Sequence, residues 1–159
     1  QRNEFLAGPM NAAFEKPISA IHSKFNGVVP AGELLPKVEK ETFKMVQLYV
    51  KSMEKAEYSK LLFMIENYAR IINGLFNQYK PHDDRHDEKE RVDAIYSCFY
   101  ILKNVVIMLS PFVPETMDRL RKSLNLPESI YSVDEFNIPF PANHKIGEQA
   151  EYFPAPKPL

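Results

Sequence analysis

Ile101-Leu102-Lys103-Asn104-Val105-Val106-Ile107-Met108-Leu109-Ser110-Pro111-Phe112-Val113-Pro114-Glu115-Thr116 is the stretch whose reading decides the fold. Its first nine residues form an apolar helix. Pro111 has no N–H to give and disfavours helical backbone at Ser110, so that helix stops there. A second helix then begins with Pro114 in its first turn and Glu115 near the positive end of its dipole. The stretch is a helix–break–helix corner.

Working outward, the first of these helices extends back to Asp87, whose carboxylate suits a helix start, and carries a core stripe of Val92, Ile95, Tyr96, Phe99, Leu102, Val106 and Leu109. Before it, a charged loop (Lys80-Pro81-His82-Asp83-Asp84-Arg85-His86) follows a regular helix over 58–79. That helix has an apolar face of Leu61, Leu62, Ile65, Tyr68, Ala69, Ile72, Leu75 and Phe76. Over 36–55, Phe43, Val46, Val50 and Met53 recur at helical steps. Lys40, Lys44, Lys51 and Lys55 make a second stripe beside Glu39, Glu41 and Glu54, read either as a solvated face with i,i+4 pairs or as a phosphate-contacting face. A first helix over 10–25 is expected to start near Met10, to bend or break before Pro17 and to end at Asn26-Gly27. The pattern predicts an all-α fold: an antiparallel bundle of four to five helices (10–25, 36–55, 58–79, 87–109, 114–124). A Pro-rich extended tail over 125–159 packs on it, and the whole of 1–159 forms one domain.

Composition narrows the function classes. The chain has 159 residues, 45% of them apolar and 26% charged, with a formal net charge of −1. That balance argues against a general nucleic-acid coat, which draws its affinity from many phosphate contacts, but leaves room for a local RNA site. The single cysteine, Cys98, excludes an internal disulfide and sits in the apolar stripe as a core residue. No stretch reads as a membrane span or a leader, so a soluble, cytoplasmic chain with no membrane partner is expected.

Candidate chemistry is sparse. His82, Asp83, Asp84 and His86 are bunched, but a zinc site wants three or four His or Cys ligands in fixed geometry, and a solvated loop ahead of the next helix is the simpler reading. No His lies three residues after a Glu, as a di-metal carboxylate bundle requires. No Gly-rich phosphate loop and no Gly-x-Ser-x-Gly elbow occurs. No metal, cofactor or catalytic residue is expected in this chain.

Three segments taken together resemble one family. Lys24-Phe25-Asn26-Gly27-Val28-Val29-Pro30, Ser110-Pro111-Phe112-Val113-Pro114-Glu115-Thr116 and Asn143-His144-Lys145-Ile146-Gly147 are similar, in order, to motifs of the anticodon-binding domain of methionyl-tRNA synthetases. The His-Ile-Gly-His and Lys-Met-Ser-Lys-Ser signatures of a class I synthetase are absent from the sequence. The resemblance therefore implies a non-catalytic portion that binds the tRNA anticodon stem-loop. The ATP-using chemistry that joins methionine to tRNA would lie on a separate catalytic domain, which is the second implied partner; DNA is not implied.

Family members read the anticodon with an Asn and, four residues on, an Arg in the first helix, and with a Trp after the third helix, in a segment that opens N-x-Y and ends P-W. Here Asn77-Gln78-Tyr79 matches N-x-Y, and counting forward puts Arg85 and His86 at the Pro and Trp positions of a chain that has no Trp. The first helix offers two registers, Asn11 with Glu15 or Ala12 with Lys16. The implied reading residues are Asn11, Lys16, Asn77, Arg85 and His86, with His86 as the stacking surface. Pro111, Phe112, Pro114, Glu115, His144, Lys145, Ile146 and Gly147 form the structural motif. Ile146 and Phe153, beside Tyr152, are its apolar anchors. The alternative reading keeps the fold as a protein-interaction or scaffold module without RNA readout.

Overall fold

The structure, a computed structural model, describes residues 2–147; Tyr152 and Phe153 lie outside the described residues. Along the chain run α1 (Arg2–Lys24), β1 (Val28–Val29), α2 (Pro36–Glu54), α3 (Tyr58–Ala69), α4 (Ile71–Tyr79), α5 (Glu88–Leu109) and α6 (Pro114–Ser123). Two 3-10 turns (Glu128–Tyr131 and Val133–Asn137) and β2 (His144–Lys145) follow. The fold is a helix bundle around α5.

From Ala94 to Leu109 every residue of α5 is buried, so this helix is enclosed on all sides instead of along one stripe. By length and composition it is apolar enough to cross a membrane, contrary to the expectation that no stretch is. Yet 94% of the qualifying window is buried inside the bundle, because α1, α2, α3, α4 and α6 all pack on it. Cys98 lies in this core, where burial pushes its thiol up. Asp87 caps α5 by accepting from the Glu90 amide at 3.0 Å. At the corner, the Phe112 and Val113 amides turn back to the Leu109 carbonyl (2.9 and 3.0 Å), Pro114 opens α6, and Phe112 meets Tyr58 edge-on at 5.7 Å.

Four further expectations need correction. α1 begins by Arg2 and continues through Pro17 without the expected break. Pro17 removes the bond that would reach the Ala13 carbonyl, a cost of about 3 kcal/mol. Phe14, Ile18 and Ile21 around it are fully buried, each giving about 1.5–3 kcal/mol, and burial wins. The expected helix over 58–79 is two, so six α-helices are described in place of four or five. At Arg70 the turn tightens (ψ −15°), and the Asn73 amide bonds the Arg70 carbonyl three residues back at 3.0 Å. On α2 the buried face is Val38, Thr42, Met45, Tyr49 and Ser52, which leaves Phe43 at 64% exposure. Polar partners turned the helix: Thr42 Oγ1 lies 2.7 Å from the Tyr68 hydroxyl, and the Tyr49 hydroxyl donates to the Met108 carbonyl at 3.0 Å.

The fourth correction concerns the tail, which is folded into two 3-10 turns over 128–137 instead of being extended. It is strapped to α5 by side chains that meet its backbone. The Tyr96 hydroxyl donates to the Phe140 carbonyl (2.7 Å), Tyr100 to Phe136 (2.8 Å), and the Lys103 ammonium to Glu135 (2.6 Å) and Ile138. The strap then pairs β2 with β1, antiparallel, with Val28 opposite Lys145 and Val29 opposite His144. Asn26 (φ 55°) and Gly27 (φ 74°) close α1 in left-handed backbone, the Gly27 amide reaching back to the Ile21 carbonyl at 2.9 Å. The Ile146 amide donates to the Gly27 carbonyl and the Gly147 amide to the Ser123 carbonyl, while His144 Nε2 lies 2.7 Å from the Leu124 carbonyl. Two motifs more than a hundred residues apart thus form one structural seam.

Lys103, 2% exposed, carries its charge into the core, with its ammonium 4.7 Å from the Tyr100 ring centre. Burial pulls its pKa down to about 8, against the opposing pull of the Glu135 carboxylate. An unfolded lysine titrates near 10.4, so between about pH 8 and 10.4 the unfolded chain holds a proton the native chain has lost. In that window this group makes stability rise with pH, by at most ~1.4 kcal/mol per pH unit. Below pH 8 the group is charged in both states and its contribution is flat. Lys103→Met is expected to remove this rise from the urea midpoint measured between pH 8 and 10. Equal slopes for variant and unaltered chain would show that the ammonium does not titrate in the fold.

Candidate functional site

The outer face of α1 and the end of α4 enclose a groove of about 590 Å³. Glu15, Lys16, Ser19 and Ser23 line one wall, three and four residues apart on one helix face. Ala20 and Phe76, both buried, make the floor, and Asn77 and His82 close the far side. Lys80 ends α4 in left-handed backbone (φ 45°) and reverses the chain. The reversal lays the His82 imidazole nearly parallel over the Phe76 ring, with centres 5.7 Å apart and planes 11° apart.

Ion pairs fasten the loop that presents His82. Asp84 accepts from Lys24 at the end of α1 and from Arg91 on α5, both at 3.1 Å, and Arg91 Nε donates to the Pro81 carbonyl. Asp83 accepts from the Arg85 guanidinium at 3.0 and 2.9 Å and from the Arg85 amide, which holds its carboxyl well below the usual carboxylate range. The bunched His and Asp side chains of this loop therefore have separate protein partners.

Of the residues singled out in the sequence, Lys16 and Asn77 come together in the groove. Both first-helix registers bear on it, since Glu15 and Lys16 line it side by side; Asn11 is half-buried and is not among the lining residues. Arg85 is engaged with Asp83. His86 is not among the residues that line the groove: its Nε2 lies 3.2 Å from a carboxylate oxygen of Glu90, in the first turn of α5. The imidazole lining the groove belongs to His82, weighed in the sequence only as a metal ligand. The available signal was its position just past Pro81, six residues after Phe76.

One acid, one base, two hydroxyls, a carboxamide and a flat aromatic floor offer donors and acceptors with little net charge. That mixture suits the edges and faces of a planar, uncharged heterocycle better than it suits phosphate.

No family model matches the chain. Methionine–tRNA ligase 1 of Bacillus cereus is 24% identical over 125 residues, 78% of this chain and 23% of that relative. The methionine–tRNA ligase of Ignicoccus hospitalis is 28% identical over 116 residues, 72% of this chain and 20% of the relative. The chain thus spans less than a quarter of the length of these curated relatives, at their C-terminal part. Among solved structures, apo methionyl-tRNA synthetase of Mycobacterium tuberculosis superposes with a TM-score of 0.85 at 12% identity, covering 97% of this chain and 33% of that one. The same synthetase bound by methionyl-adenylate also gives 0.85, at 14% identity, with 96% and 32% covered. In sequence and in fold, this chain resembles the C-terminal part of methionyl-tRNA synthetases.

Proposed function

We propose that the chain binds the anticodon arm of a tRNA, with a loop base held in the α1–α4 groove, and that it serves a cytoplasmic methionyl-tRNA synthetase whose catalytic domain joins methionine to tRNA with ATP. The carrying observation is the groove itself: Lys16 and Asn77, singled out by the resemblance, face each other across a floor on which His82 lies flat over Phe76. Loop bases are unpaired, so they can be splayed out, stacked on a flat side chain and read at their edges. His82 supplies the flat surface, Asn77 and the serines the edge contacts, and Lys16 a cation for a neighbouring phosphate. Glu15 would repel a phosphate placed beside it, which favours a base in the groove and the backbone outside it.

The test is binding to a methionine-tRNA anticodon stem-loop and to the same stem with an altered anticodon, each at two salt concentrations. Preference for the methionine anticodon by about tenfold (~1.4 kcal/mol) that survives the higher salt is the expected result. Equal binding of the two loops would leave the fold as an interaction module without readout, the reading that the absence of tryptophan also favours.

A further inference from the structure

The geometry points to a second, separate RNA contact: the lysine face of α2 as a docking surface for the phosphate backbone of a double-stranded RNA stem. At about 100° per residue, Lys37, Lys40, Lys44, Lys51 and Lys55 fall within an arc of about 60° and extend about 27 Å along the axis. All five are exposed, and none of them lines the α1–α4 groove.

Among the described residues, most of the charges on this face lack an acid partner, and they are gathered in one strip. Off this helix, several cations sit against carboxylates: Lys24, Arg70, Lys89, Arg91 and the buried Arg121 lie 2.6–3.1 Å from an acid. On α2, among the described residues, only Lys44 has an acid in reach, Glu41 at 3.8 Å. The i,i+4 pairs expected of a solvated face are not formed. Lys40 with Lys44, and Lys51 with Lys55, are instead like-charge i,i+4 neighbours that repel one another and weaken the helix. With a formal net charge of −1 the chain as a whole offers a polyanion no general attraction, so such binding has to come from a local strip of charge.

A row of mobile ammonium groups on a convex helix is suited to tracking phosphates and carries no means of reading bases. Only the choice of RNA over other polyanions rests on the tRNA reading; the strip stands on the helix geometry. It predicts sequence-independent, strongly salt-dependent binding to duplex.

The test uses the full chain and a short RNA duplex with no loop, so that base reading in the groove contributes nothing. The quadruple variant K40Q/K44Q/K51Q/K55Q changes only exposed positions along α2 and at its C-cap, and its circular dichroism is expected to match that of the unaltered chain. The unaltered chain is expected to bind the duplex at low salt. The variant should lose about tenfold or more in affinity, with a log–log salt slope shallower by roughly 3 to 4. The ratio between correct and altered anticodon loops should not change in the variant. Equal affinity and slope for variant and unaltered chain would overturn the proposal. So would an unaltered chain that ignores the duplex while binding vesicles of anionic phospholipid. Failure of loop discrimination alone would strike the groove reading and leave this strip standing.

Discussion

Phe136→Ala is expected to lower the unfolding free energy by about 3–5 kcal/mol, a large share of the stability of a domain this size. The ring is 1% exposed and meets Tyr49 edge-on at 5.8 Å, so truncation leaves a cavity between α2, α5 and the strap. Its carbonyl also receives the Tyr100 hydroxyl, and Lys103 donates to the carbonyls on either side of it, at Glu135 and Ile138. When the ring no longer holds the segment down, these buried donors risk losing their acceptors as well, which pushes the cost toward the upper end. Tyr100→Phe separates the two contributions: it keeps the packing, removes one hydrogen bond, and is expected to cost about 1 kcal/mol. Urea unfolding of both variants is the measurement. A loss below 1 kcal/mol for Phe136→Ala would mean that the strap is not part of the cooperative fold.

His82→Ala is expected to weaken binding of the methionine anticodon stem-loop by about 1–3 kcal/mol, the range measured for removing one stacking surface, and to erase the preference over an altered loop. The physical reason is the preset geometry. Phe76 beneath and the Asp84–Arg91–Pro81 brace behind hold the imidazole in place, so little ordering entropy is spent when a base lies on it. His86→Ala, which removes only the contact to Glu90, is expected to leave both loops bound as before. Reversal of these outcomes, with His86 carrying the discrimination, would return the stacking role to the position that the linear count assigns.

These two residues also mark where sequence reasoning carries and where it stops. The corner at Pro111 and Pro114 was legible because proline acts through its own covalent geometry, and so was the Asp87 cap, which bonds an amide three residues on. The left-handed closure at Asn26-Gly27 was local in the same way. The groove was half legible. Lys16 and Asn77 could be named from the resemblance, but that His82 and not His86 lines the groove depended on the left-handed turn at Lys80 and on the contact of His86 with Glu90.

Sequence by itself determined the helical class of this protein, the positions of most helix ends and the motifs that tie it to its relatives, because those are written in local covalent and capping chemistry. Tertiary structure alone decided which face of α2 turns inward, that α1 continues through Pro17, that residues 28–29 and 144–145 meet in one seam, and that Lys103 is buried. Each of those choices depends on a partner distant in the chain: a Tyr68 hydroxyl, a shared core, a paired strand, a carbonyl in the strap. Their energies arise only once the chain has closed on itself.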